Sequence, residues 1–361
     1  MMTNDHMDAV ESIAIDYIRD VMTRVRDNFG VVIKTGMELE FYALNERGEA
    51  ERLLDDDDID AIDDELIAAG IANDFDDEND IDFYGQYEIA IGVHDPLTTA
   101  KKAMKARNYL ETSAKRMGVS AFDFSALPFK DKEANAAHVS FSLWSPGGRP
   151  LFADKYNKPT ALLKKVAQGV LDKQKHLFAF YSPNQEDYAR YGNTKWTPKK
   201  IAYIKRVDKA GSLRFANCDD CYEPEDEEDV VPEDFRLEDR LASASSNYYI
   251  AMAAVMSGVE HGLTQYTTLF RSADDVPQSE RDTYDLMPLD QSGAVLAVDK
   301  TNLKKFPKSA MPKTQAEAIK GLADYFNNLP DKEGREAKLC HGFLVGSNAT
   351  QSSKIKGLVP R

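Results

Sequence analysis

The segment Gly36-Met37-Glu38-Leu39-Glu40-Phe41 sets two carboxylates into an apolar run. Met37, Leu39 and Phe41 alternate with Glu38 and Glu40, the period-two pattern of a strand with one buried face. Both carboxylates then share the other face, about 7 Å apart. A cation between them relieves their repulsion most directly. The β reading covers 31–34 and 37–44, both rich in Val, Ile, Phe and Tyr.

Three other segments repeat the device. Phe83 to Ile91 reads as a strand carrying Glu88 after Gly85-Gln86-Tyr87. Residues 137–144 alternate Ala137, Val139, Phe141 and Leu143 with His138, Ser140 and Ser142, a half-buried strand with one polar face. Residues 236–240 read as β, with Glu238 between Arg236 and Arg240. Each charge alone is an ordinary cross-strand or surface group. Five on strands of one domain imply an acid-lined cleft. Oxygen ligands with a single imidazole suit Mg²⁺ or Mn²⁺ better than zinc. Arg190, Lys209 and Arg214 add positive charge to Arg236 and Arg240. A divalent metal beside an arginine cluster is the chemistry of phosphoryl transfer from a nucleotide.

Helices frame these strands. Residues 8–29 form an amphipathic helix stopped by Gly30, and 96–117 a second ended by Gly118. Residues 159–181 are helical; 201–204 and 212–215 are short β segments around a basic turn. Residues 246–263 are almost wholly apolar, hence a buried helix, with Ser246 and Asn247 as candidate caps. The acidic stretch 55–82 reads as a solvated helix with an apolar stripe of Ile59, Ile62, Leu66 and Ile67, since a calcium loop would need a Gly and spacing that are absent. Residues 223–234 are an acidic loop. The remainder from 264 is loop-rich with one helix near 314–328, and no internal repeat is present.

Composition excludes several classes. In 361 residues, 45 basic and 61 acidic side chains give a net charge of −16, which disfavours duplex nucleic acid and anionic membranes as partners. No apolar run approaches the roughly 20 residues of a membrane span, and no basic-then-apolar leader opens the chain, so a cytoplasmic protein is expected. Three cysteines build no disulfide framework; Cys218-Asp219-Asp220-Cys221 lacks a second ligand pair, Cys340-His341 is distant, and both read as structural thiols. There is no Walker loop, dinucleotide fingerprint or Gly-x-Ser-x-Gly elbow. Leu358-Val359-Pro360-Arg361 matches the front half of a thrombin site, so residues 355–361 are set aside as a partly added tail. The expected layout is a helix over 1–30, one catalytic domain over 31–354, and that tail.

Four separated motifs resemble the glutamine synthetase family. Gly36-Met37-Glu38-Leu39-Glu40-Phe41 is similar to its Gly-x-Glu-x-Glu-Phe strand, and Gly85-Gln86-Tyr87-Glu88 to its Gly-Gln-Tyr-Glu strand. Ala137 to Leu143 resembles the histidine-bearing strand. Arg236-Leu237-Glu238-Asp239-Arg240 with Ser246-Asn247-Tyr248 resembles its Arg-x-Glu-x-Arg and Asn-Pro-Tyr stretch. The order and spacing agree over residues 31–263. The resemblance implies an α+β fold, a curved, mostly antiparallel sheet with helices on its outer face. It implies two divalent sites, one using Glu40, Glu88 and a further acid, the other Glu38, His138 and Glu238. ATP would be the co-substrate. Arg236 would meet its phosphates, Arg240 the reacting carboxylate, Arg190 the α-carboxylate of glutamate, and Ser142 and Arg214 the nucleotide. The family makes γ-glutamyl phosphate, from which an amine displaces phosphate.

The departures are informative. The third acid of the first site falls at Asp80, with Asp82 and Glu78 as alternatives. Glu133-Ala134-Asn135-Ala136 replaces the family's Asn-Gly-Ser-Gly, Ser140 a second histidine, and Lys209 the arginine at the nucleotide turn, keeping charge but losing the bidentate fork. The flap glutamate that helps deprotonate ammonium falls near Trp196. A helix stands where the family carries its N-terminal β-grasp domain, so the double ring is not expected; a monomer or small homo-oligomer is. These features point to an ATP- and Mg²⁺-dependent ligase that joins glutamate, or a similar carboxylate, to an organic amine rather than ammonium. The alternatives are a guanidino-kinase-like phosphotransferase and a non-catalytic nucleotide- or ligand-binding regulator.

Overall fold

A computed structural model describes residues 4–50, 53–71, 85–155, 159–182, 186–191, 197–198, 204–205, 211–216, 233 and 235–265. A single strand, β1 (Val32–Leu44), replaces the two expected β stretches. Its odd-numbered residues from Ile33 to Phe41 are buried and its even ones only partly so. Against β2 (Gln86–His94) its register shifts between Thr35 and Met37. Gly36 sits at that irregularity, where a Cβ would lie 3.1 Å from the Ile91 carbonyl oxygen. The other strands are β3 (Ala121–Asp123), β4 (Ala137–Trp144), β5 (Ile204–Lys205), β6 (Leu213–Ala216) and β7 (Arg236–Asp239). They form a seven-stranded sheet in the order β2-β1-β4-β7-β6-β5, with β3 on the far end of β1. All pairings are antiparallel except β5 with β6. The expected mostly antiparallel α+β sheet is therefore present; β3 was not anticipated, being too short for a periodic signal.

Helices cover one face. α1 (Asn4–Phe29) buries Ala14, Ile18, Val21 and Val25, the stripe its spacing dictates. Gly30 ends it at φ 64°, donating its N–H to the Arg26 carbonyl. α2 (Asp56–Ala68) begins with a capping box between Asp55 and Asp58. It buries Ile62 and Leu66, but Ile67 is 52% exposed and leaves the expected stripe. α3 (Pro96–Ser113) starts on Asp95, which accepts from the N–H groups of Leu97 and Thr98. α4 (Ala161–Tyr181) and α5 (Tyr248–Gln265) cross almost backbone to backbone. Side chains on Gly169, Gly258 or Gly262 would meet the opposing helix at 2.2, 2.7 and 2.4 Å, so three glycines allow that crossing. Asn247, not Ser246, caps α5, its side-chain oxygen accepting from the Tyr249 and Ile250 N–H groups. Arg24 of α1 makes two hydrogen bonds, of 2.8 and 3.0 Å, to the buried carboxylate of Glu260 on α5. Among the described residues no helix is long and apolar enough to cross a membrane. The expected helix near 314–328, all of the acidic loop 223–234 except residue 233, and all three cysteines lie outside them.

Candidate metal and nucleotide site

The ladder lays the polar side chains in rows. Glu40 pairs with Glu88 across β1 and β2. Glu38 pairs with His138 across β1 and β4. One step along, Gly36 pairs with Ser140, Ser140 with Glu238, and Glu238 with Arg214. The next row holds Lys34 opposite Ser142, with Arg236 two residues before Glu238 on β7 and opposite Ala216. Because side chains alternate, these groups share the face turned away from Met37, Leu39, Val139 and Phe141. Five strands, β1, β2, β4, β6 and β7, therefore deliver one polar surface.

Its centre is His138, 4% exposed. Nδ1 lies 3.3 Å from a Glu238 oxygen, 3.4 Å from Glu38 and 3.8 Å from Glu40. Among the described residues, Glu38, His138 and Glu238 form a group whose ligand atoms all lie within 4.8 Å of one another. Burial holds the His138 imidazole well below its usual value, reinforced by Arg240, so the ring is neutral. Burial alone would raise Glu238, but Arg240 and Arg214 outweigh it and keep that carboxyl below its ordinary range. A neutral imidazole beside an ionised carboxylate is the protonation state that metal ligands require. Burial pushes Glu40 up to about 7 despite Arg240 and Arg190. A divalent cation would reverse that penalty. Two oxygens and one nitrogen fit Mg²⁺ or Mn²⁺. Glu40 and Glu88 are directly paired across β1 and β2; Asp80, expected beside them as a third acid, lies outside the described residues, as do Lys209 and Trp196.

Cations border the acids. Arg240 Nη1 is 2.5 Å from one Glu238 oxygen, and Arg214 Nε lies against the other. Arg190 is buried, stacked on the Tyr191 ring at 4.9 Å. Its guanidinium donates to the main-chain carbonyls of Arg240 and Leu241, and its buried Nε has no hydrogen-bond partner among the described residues. The segment replacing the glycine-rich motif is tied down. Ala136 N–H donates to Glu40 at 2.7 Å, Gln86 to Asn135 at 2.9 Å, Asn135 to the carbonyls of Asp123 and Ser125, and Tyr42 to the Glu133 carbonyl.

One residue escaped the sequence reading. Asp239 points to the opposite face from Glu238 and is fully buried. It accepts from Gln174 and the Leu241 N–H, both at 3.0 Å, and burial raises it to about 6. Gln174 also donates to the Ser212 carbonyl, to which the Arg240 N–H also donates. This network joins α4, β6 and the end of β7 directly behind Glu238 and Arg240. The available signal was an acid at a strand position whose parity calls for an apolar residue.

Comparison with known proteins agrees with this geometry. The family model for the glutamine synthetase catalytic domain matches residues 79–311. The gamma-glutamylputrescine synthetase PuuA of Escherichia coli (strain K12) is 26% identical over 180 residues, 50% of this chain and 35% of that protein. A glutamate–isopropylamine ligase of Pseudomonas sp is 28% identical over 187 residues, 48% of this chain and 36% of that protein. The match thus spans little more than a third of either relative's length. A solved glutamine synthase homologue superposes with a TM-score of 0.62 at 20% identity, covering 96% of this chain and 72% of its own.

Proposed function

The chain belongs to the glutamine synthetase catalytic-domain family, and from that premise we propose that it is an ATP-dependent ligase joining glutamate, or a similar carboxylate, to an organic amine. The observation carrying this reading is neutral, buried His138 between Glu38 and Glu238, with Arg214 and Arg240 on the same carboxylate. Glu38, His138 and Glu238 would hold one Mg²⁺ or Mn²⁺, and Glu40 with Glu88 the other. Such ions, when bound, neutralise phosphate and carboxylate charge. Arg214 and Arg236, with Lys209 and Ser142, would hold the nucleotide. Arg240 would stabilise charge at the reacting carboxylate, and Arg190 would hold the α-carboxylate of the substrate.

The balance is that of acyl activation. A carboxylate oxygen takes the γ-phosphoryl group and ADP leaves. The amine nitrogen then adds to the acyl carbon, phosphate departs and the nitrogen gives up a proton. The organic amine, rather than ammonium, is supported by the names of two relatives, which specify putrescine and isopropylamine, and by Trp196 at the flap position. A cytoplasmic monomer or small homo-oligomer belongs to the same proposal. ADP release by purified protein is the test. Release only when carboxylate and amine are both supplied supports the ligase; no turnover with any amine in a broad panel contradicts it. The second reading, a nucleotide- or ligand-binding regulator, is favoured by Glu133-Ala134-Asn135-Ala136 in place of the glycine-rich motif and by Lys209 in place of an arginine.

A further inference from the structure

Arg240 lies one residue past the sheet. The ladder on both sides of β7 ends at Asp239, which pairs with Val139 and with Leu213. Among the described residues no strand pairing holds the residue after it. Yet Arg240 is 3% exposed and aims its guanidinium at Glu238. A set of buried hydrogen bonds holds its main chain instead. The Arg240 N–H donates to the Ser212 carbonyl at 2.9 Å. The next N–H, that of Leu241, donates to the Asp239 carboxylate at 3.0 Å. Gln174 of α4 ties these two acceptors together, its amide donating to the Ser212 carbonyl at 3.2 Å and to Asp239 at 3.0 Å. The Ser212 hydroxyl donates back to the Gln174 side-chain oxygen at 2.7 Å. Gln174, Ser212 and Asp239 are all fully buried.

Stability does not account for this choice of residues. A carboxylate and an amide in a helix-covered core cost desolvation that apolar side chains of similar volume avoid. What hydrogen bonds add is direction, since a bonded buried network admits one arrangement of the main chain. Each bond in this one ends on residues 239–241 or on Ser212 facing them. We propose that Gln174 and Asp239 are positioning residues, which aim Arg240 at the reacting carboxylate by fixing the backbone at the end of β7. The inference deepens the ligase reading above and rests on it. Asp239 points away from the face that carries Glu238, so the pair acts on the reaction only through Arg240.

The experiment replaces the pair with an apolar one, Gln174→Met together with Asp239→Leu. It measures thermal unfolding, Mn²⁺ affinity and steady-state ADP release. The expected result is a Tm at or above that of wild type and unchanged Mn²⁺ affinity. With these, kcat should be lower by about ten- to a hundredfold at an unchanged KM for ATP. Ser212→Ala removes one hydroxyl from the network and should lower kcat by less than the double variant does; it decides the matter if the double variant does not fold. A kcat equal to wild type in the folded double variant, or in Ser212→Ala where the double does not fold, overturns the inference and leaves the ligase reading intact. Mn²⁺ affinity falling in step with kcat also overturns it, because general damage to the site then explains the loss. No ADP release by wild type overturns the ligase reading and this inference together.

Discussion

The two faces of β1 and β4 are built from the same residues in alternation, yet they obey opposite rules. On one, Met37, Leu39, Val139, Phe141 and Leu143 are at most 1% exposed and pack beneath the helices. On the other, Glu38, Glu40 and His138 crowd within 4 Å of a shared nitrogen. The first face lowers the free energy of the fold by removing carbon from water. The second raises it, since burial lifts Glu40 and holds His138 neutral. A one-residue step along a strand thus separates the part that holds the molecule together from the part that gathers its charge.

Deleting packing should damage the fold and spare the acid cluster. Phe141→Ala is expected to cost about 3–5 kcal/mol in denaturant unfolding, with Mn²⁺ affinity of the folded fraction retained. If metal affinity falls equally, the faces are not separable. Gly262→Ala should behave like Phe141→Ala, because its Cβ would lie 2.4 Å from the Lys165 carbonyl oxygen. Glu238→Gln breaks the polar face instead. It leaves Arg240 buried without its anion and should cost about 3 kcal/mol, together with a loss of ADP release of about a hundredfold or more.

A smaller effect sharpens the contrast through pH. Burial raises Glu40 from 4.5 to about 7 and Asp239 from 3.8 to about 6. A carboxyl raised in the folded state contributes stability that is complete below its unfolded value and is lost as pH rises through the folded one. Metal-free protein should therefore lose stability between about pH 4 and pH 7. Glu40→Gln should remove about 2–3 kcal/mol of that decline. Calorimetry in chelator across this range is the check; an identical slope in the variant would place Glu40 in water. The smallest effect lies at a helix end, where Asn247→Ala should cost about 1 kcal/mol in thermal unfolding without altering ADP release.

The legible parts of the chain were those with a period. β4 runs over the expected residues, and α5 was recognisable because almost every position is apolar. The cluster of acids around His138 was legible because Glu38, Glu40, His138 and Glu238 interrupt apolar alternation. What the sequence hid depends on long-range contacts. Ile67 belongs to the apolar stripe by spacing, but it stays 52% exposed. Asp239 reads as one more charge in an Arg-rich strand, although Gln174, 65 residues away, makes it part of the core. Arg107 of α3 reaches the carbonyls of Ala244 and Ser246, far off in sequence, and anchors the loop before α5.

The central claim is that the acids and His138 form a cation site. Titration calorimetry of Mn²⁺ into chelator-treated protein tests it, with Glu38→Gln and His138→Ala alongside. Saturable binding by wild type that weakens by about tenfold or more in each variant is the expected outcome. Absence of saturable binding by wild type, or equal affinity in all three proteins, would contradict the account.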